Sequence, residues 1–119
     1  MNEHEKINYV EYPAKDIPAT KRFFEAAFGW TFEDFGPDYA AFSNQGLDGG
    51  FFRSDRASTT KNGGALVIFY SRNLESTAAK VKQAGGVISK EIYTFPGGRR
   101  FQFLEPSGNE FTVWSDIGA

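Results

Sequence analysis

Cysteine is absent from this chain, so disulfide bonds, thiolate metal sites and thiol catalysis are all excluded. Histidine occurs once, as His4 in the polar opening Met1 to Lys6. There it reads as a solvated tail residue, and a serine–histidine nucleophilic pair has no base to draw on. No apolar run approaches the roughly 20 residues that a membrane span needs. The opening residues MNEHEK also lack the apolar core of a signal peptide. Positive charge is not in excess: 13 Lys and Arg stand against 15 Asp and Glu, for a net charge of −2. That balance gives no drive towards nucleic acid or acidic membranes. The expectation is a cytoplasmic protein that engages neither.

What the 119 residues do hold is aromatic weight, with 13 Phe, 5 Tyr and 2 Trp. This is enough apolar area for one compact domain. The chain is organised around Ile7 to Trp30. Ile7 to Tyr12 is β-branched and aromatic, which suits a strand, and Pro13, unable to donate to a ladder, is expected to end it. Asp16 can cap a helix with Pro18 in its first turn. Thr20, Phe23, Phe24, Ala27 and Phe28 then form one apolar face, and Gly29 supplies a left-handed terminator.

The same order returns in Gly64 to Val87. Asn73 matches Asp16 and Gly86 matches Gly29 at one constant offset, as expected of two copies of one supersecondary unit. Leu74, Thr77, Ala78, Val81 and Ala84 form the second apolar face. Strands are expected after each helix. In the first half they are Trp30–Phe35, Tyr39–Ser43 and Leu47–Arg53; in the second, Val87–Tyr93, Arg99–Leu104 and Glu110–Ser115. Glycine- and proline-bearing turns separate them. The fold class is therefore α+β: two tandem βαβββ modules, about 6–53 and 64–116, joined by a polar linker, 54–63. They are expected to form a curved mixed sheet with helices on the convex face. The linker reads as a flexible loop, or as a hairpin closed at Asn62-Gly63.

Tyr12-Pro13-Ala14-Lys15-Asp16, Phe23-Phe24-Glu25, Phe28-Gly29-Trp30 and Leu104-Glu105-Pro106-Ser107-Gly108-Asn109 resemble, in order and spacing, motifs of the vicinal oxygen chelate superfamily. That superfamily groups glyoxalase, bleomycin-resistance and extradiol dioxygenase proteins. The last stretch is similar to its acidic-Pro-x-Gly-Asn turn before the final strand. The resemblance covers nearly the whole chain and implies the fold above. Metal-using members place histidine and glutamate ligands on the first and last strand of each module. Carried over by position, these fall on Tyr9, Gly50, Leu66 and Thr112. None of the four is a good ligand for a divalent cation, so no metal or cofactor is expected. The resemblance also implies that chains this short form homodimers whose modules face each other to complete a pocket.

Strand alternation places Glu11 with Tyr9, and Thr112 with Glu110 and Trp114, on the face free of helices. Glu11 is a carboxylate in an otherwise apolar strand. It can orient a polar ligand, act as a general base, or pair with a nearby Arg or Lys. Arg99 and Arg100 are neighbours and point to opposite faces. An inward Arg100 can bind a carboxylate or phosphate, or neutralise Glu11 or Glu110. Trp30, Tyr70, Tyr93 and Trp114 are candidates for a stacking surface or for core packing. The expected function is metal-free binding or sequestration of an aromatic or polar small molecule by Tyr9, Glu11, Gly50, Leu66, Arg100, Thr112 and Trp114. The alternative is a lyase, isomerase or dioxygenase-like enzyme that uses Glu11 as base, or that holds a metal through displaced Glu11, Asp48 and Glu110. A third reading is an interaction module that receives a protein on its concave face.

Overall fold

The computed structural model describes residues 2–118. The first half runs β1 (Tyr9–Ala14), α1 (Ile17–Phe28), β2 (Phe32–Asp34), β3 (Tyr39–Gln45) and β4 (Leu47–Arg53). A 3-10 turn at Thr60–Asn62 follows. The second half runs β5 (Val67–Tyr70), α2 (Leu74–Gln83), β6 (Val87–Phe95), β7 (Gly98–Leu104) and β8 (Glu110–Ser115). Both halves are strand, helix and three strands, giving two tandem α+β modules.

Each module makes its own four-stranded sheet, ordered β1-β4-β3-β2 and β5-β8-β7-β6. First and last strands pair in parallel, Glu11 opposite Gly50 and Ile68 opposite Thr112, and the other pairs are antiparallel. Parallel neighbours cannot be joined by a hairpin, and the helix supplies part of the crossover. Both sheets are mixed, and β1 and β5 are edge strands with one ladder partner each. That edge position also explains Pro13. It lies inside β1, not at its end, because an edge strand tolerates a residue without an N–H.

The helices form where their caps predict. Asp16 Oδ1 accepts from Ala19 N at 3.0 Å, and Gly29 closes α1 at φ 71°. Asn73 Oδ1 accepts from Ser76 N at 3.1 Å at the start of α2. The terminators do not keep step. After α2 the left-handed residue is Gly85 (φ 100°), whereas Gly86 is required by close packing: a Cβ there would lie 2.7 Å from Val81 Cγ1 and 2.8 Å from Phe23 Cε1.

One core serves both modules. Phe23 and Phe24 of α1 meet Tyr12 and Phe51 of the first sheet and Phe101, Phe103 and Phe111 of the second, all buried. Burying each such ring contributes roughly 2–3 kcal/mol. Trp30 packs in this core; its ring lies 4.4 Å from Phe24 and 4.3 Å from Phe42.

The turn between β7 and β8 staples the modules. Glu105 accepts from Thr20 Oγ1 (2.6 Å), Ser107 N (2.9 Å) and Asn109 Nδ2 (2.6 Å), while Asn109 Nδ2 also donates to the Pro13 carbonyl (2.7 Å). The linker is drawn in as well. Ser58 N donates to Asn109 Oδ1 at 2.8 Å, and Thr60 N and Oγ1 donate to Glu110 Oε1 at 2.8 and 2.9 Å. It is neither a free loop nor a hairpin. Asn62 forms a capping box with Thr59, and Gly63 ends the turn at φ 89°. No helix among the described residues is long and apolar enough to cross a membrane.

Candidate functional site

Inward positions of β1 and β4 (Tyr12, Ala14, Phe51) serve the core, so alternation turns Tyr9, Glu11 and Gly50 to the helix-free face of the first sheet. They meet there around Tyr39 of β3. The Tyr39 hydroxyl donates to Glu11 Oε2 at 2.8 Å and lies 2.6 Å from the Tyr9 hydroxyl. A phenol has one proton, so Tyr9 is the donor in the second contact. Burial first, then the bonds to Tyr9 and Glu11, push the Tyr39 pKa well above the ordinary tyrosine value; Tyr39 stays a protonated donor. Gly50 makes the arrangement possible. A Cβ at this position would lie 2.1 Å from the Tyr39 hydroxyl, so that hydroxyl fills the space a side chain would take. Glu11 has no ion pair among the described residues, and its Oε1 remains an unused acceptor.

The helix-free face of the second sheet carries Ile68, Thr112, Trp114 and Arg100. Register sets Ile68 beside Thr112, and Trp114 between Tyr70 and Arg100. Arg99 points the other way, to Glu75 of α2 at 2.6 Å. Arg100 pairs with neither Glu11 nor Glu110. Its Nε donates to the Tyr93 hydroxyl, and its guanidinium sits 5.5 Å from the Tyr93 ring and 5.4 Å from the Phe95 ring. Trp114 meets Tyr70 edge-on at 5.2 Å and Phe95 at 6.3 Å. Tyr70 is exposed and donates to Asp116 at 2.6 Å. Thr112 is fully buried, with a hydroxyl that has no partner. Leu66 sits one residue before β5 and is half-buried.

The sequence-derived residues therefore form two groups: Tyr9, Glu11 and Gly50 on one sheet, Arg100, Thr112 and Trp114 on the other. No hydrogen bond joins them among the described residues, and none of the three described cavities is lined by any of the seven residues. The largest of these three, about 400 Å³, is lined by core residues Val10, Tyr12, Trp30, Phe42 and Phe69 together with Ile68 and Tyr70.

The family's metal positions do not suit a cation. Gly50 and Leu66 offer no donor, Tyr9 is engaged as a phenol, and the Thr112 hydroxyl is sealed. Among the described residues no group of three or more His, Cys, Asp and Glu could hold a metal ion. The displaced carboxylates do not assemble: Glu11 accepts from Tyr39, Asp48 from Asn44 N at 3.1 Å, and Glu110 from Thr60.

Sequence reasoning did not single out Tyr39 as a site residue. The available signal was Gly50, whose missing side chain opens room for a large neighbour on the adjoining strand. Lys90 was also missed; its Nζ lies 4.3 Å from the centre of the Tyr93 ring.

Comparison with known structures shows the same architecture. The chain is similar to a glyoxalase-related enzyme from Fulvimarina pelagi (16% identity, TM-score 0.78, covering 93% of this chain and 88% of that one). It is similar to a glyoxalase/bleomycin resistance protein/dioxygenase family enzyme from Burkholderia phytofirmans PsJN (16%, 0.77, 94% and 99%). A lactoylglutathione lyase from Agrobacterium tumefaciens superposes with TM-score 0.71 at 16% identity, covering 99% of each chain. No curated protein matches the sequence. The family profile, in contrast, matches residues 6–113. With the paired βαβββ modules and that match together, the chain belongs to the Glyoxalase/Bleomycin resistance protein/Dioxygenase superfamily.

Proposed function

We propose that this chain is a metal-free small-molecule-binding member of its superfamily, sequestering an aromatic or polar organic ligand. The observation that carries the reading is Gly50 filled by the Tyr39 hydroxyl. Where the resemblance calls for a metal ligand, this protein has a tyrosine–tyrosine–glutamate hydrogen-bond cluster. Such a cluster orients a ligand through a fixed acceptor, Glu11 Oε1, and asks nothing of a cation. The ligand closes between two copies of the chain, the first-sheet face of one protomer set against the second-sheet face of its partner. Supporting this, each helix-free face leaves large apolar groups in water: Tyr9 (43% exposed) and Phe52 (39%) on one, Ile68 (47%) and Tyr70 (50%) on the other. Elemental analysis of protein purified without chelators tests the reading. The expected result is substoichiometric metal; a stoichiometric divalent ion lost in Glu11→Gln would contradict it.

A second reading, an enzyme, is favoured by one feature of the same cluster. Glu11 has one oxygen held by a protonated tyrosine and the other free, an arrangement suited to a positioned general base for an isomerase or lyase. Proton exchange next to a carbonyl, lost in Glu11→Gln with ligand binding retained, would select it over sequestration.

A further inference from the structure

We infer that the second-sheet face is a subsite for the carboxylate of a flat organic acid, with Arg100 as the anion anchor; this rests on the binding reading above and names the ligand class. Arg100 is fixed before any ligand arrives. Its Nε is bonded to the Tyr93 hydroxyl, and the rings of Tyr93 and Phe95 flank its guanidinium. The two terminal nitrogens make no hydrogen bond or ion pair among the described residues, which leaves their planar fork for a two-oxygen anion.

Local carboxylates do not neutralise it. Glu110, on the same face, accepts from Thr60, and Asp116 accepts from Tyr70. Lys90 adds a second cation, its Nζ 4.3 Å from the centre of the Tyr93 ring and unpaired among the described residues. Two cations gathered on one aromatic face, without a counter-ion among the described residues, suit an anion from outside. The body of that anion is set by Trp114. It lies directly across from Arg100 in the β7–β8 register and touches Tyr70 and Phe95 edge-on, an apolar wall beside the fork. An acid whose ring lies against Trp114 places its carboxylate at Arg100.

Calorimetric titration with 2-naphthoate and its neutral isostere 2-naphthamide tests the assignment. Wild-type protein is expected to bind the acid at least about tenfold more tightly than the amide. Arg100→Met should bring the two within about twofold, Arg100→Lys should fall between, and Lys90→Met should weaken only the acid, by roughly threefold. Tyr93→Phe keeps the ring but frees Arg100, and should weaken the acid severalfold without changing the amide; it serves as the check should Arg100→Met fail to fold. Equal binding of acid and amide by wild type overturns the inference and leaves the binding reading standing, as does discrimination that survives in Arg100→Met. Failure of both probes to bind wild type also overturns the inference, while the binding reading is decided separately by the metal analysis above.

Discussion

Glu105 is a carboxylate 2% exposed, with no ion pair among the described residues, held by donors from Thr20, Ser107 and Asn109. Burial raises its pKa, the donated bonds oppose the rise, and the balance lies above the ordinary glutamate value. The folded state therefore keeps a proton that the unfolded chain has released, and stability falls as pH climbs from the ordinary glutamate value through the folded one. Denaturant titrations at a series of pH values should show wild type losing ground against Glu105→Gln across that window. Asn109→Ala removes the donor shared by Glu105 and the Pro13 carbonyl and the acceptor for Ser58 N; a loss of about 3 kcal/mol is expected at neutral pH. Gly50→Ala drives a methyl into the Tyr39 hydroxyl and should cost roughly 1–3 kcal/mol. Combined with Tyr39→Ala, which vacates the space, it should cost clearly less than the sum of the two single changes.

Among the elements, α1 sits where both sheets meet. The Phe24 ring is 5.6 Å from Phe51 of one sheet and 5.4 Å from Phe111 of the other. Phe24→Ala should lower stability by about 3–5 kcal/mol in a single cooperative transition, because both modules lose the same contact. This helix was legible in the sequence because its cap, apolar spacing and terminator are all local. β4 and β8 were too, bounded by turn residues on both sides. β1 lies two residues beyond its expected span, since the ladder to β4 and not the composition of Ile7-Asn8 decides where pairing starts. β6 runs on to Phe95, which pairs with Gly98 across the Pro96-Gly97 turn. The candidate site divides the same way. Alternation alone puts Tyr9, Glu11 and Gly50 on one face, but Tyr39 enters only through the β3–β4 register. The Arg100–Tyr93 pair depends on β6, whose register shifts on both sides of Lys90 and which no periodicity rule anticipates.

For the molecule as a whole, two open sheet faces and one shared core pose different demands. The core is closed within one chain, whereas the helix-free faces leave Tyr9, Phe52, Ile68 and Tyr70 in water, the surface that the proposed dimer would cover. Sedimentation equilibrium should find a dimer, and Ile68→Arg should shift it towards monomer while the thermal transition of the protomer persists. In the proposed function the scaffold has exchanged a cation for an organic ligand. The melting temperature across a panel of divalent ions and aromatic acids tests this most directly. A concentration-dependent rise is expected with at least one acid and none with zinc, nickel, manganese or iron(II); a rise with a metal alone, and none with any organic compound, would rule that exchange out.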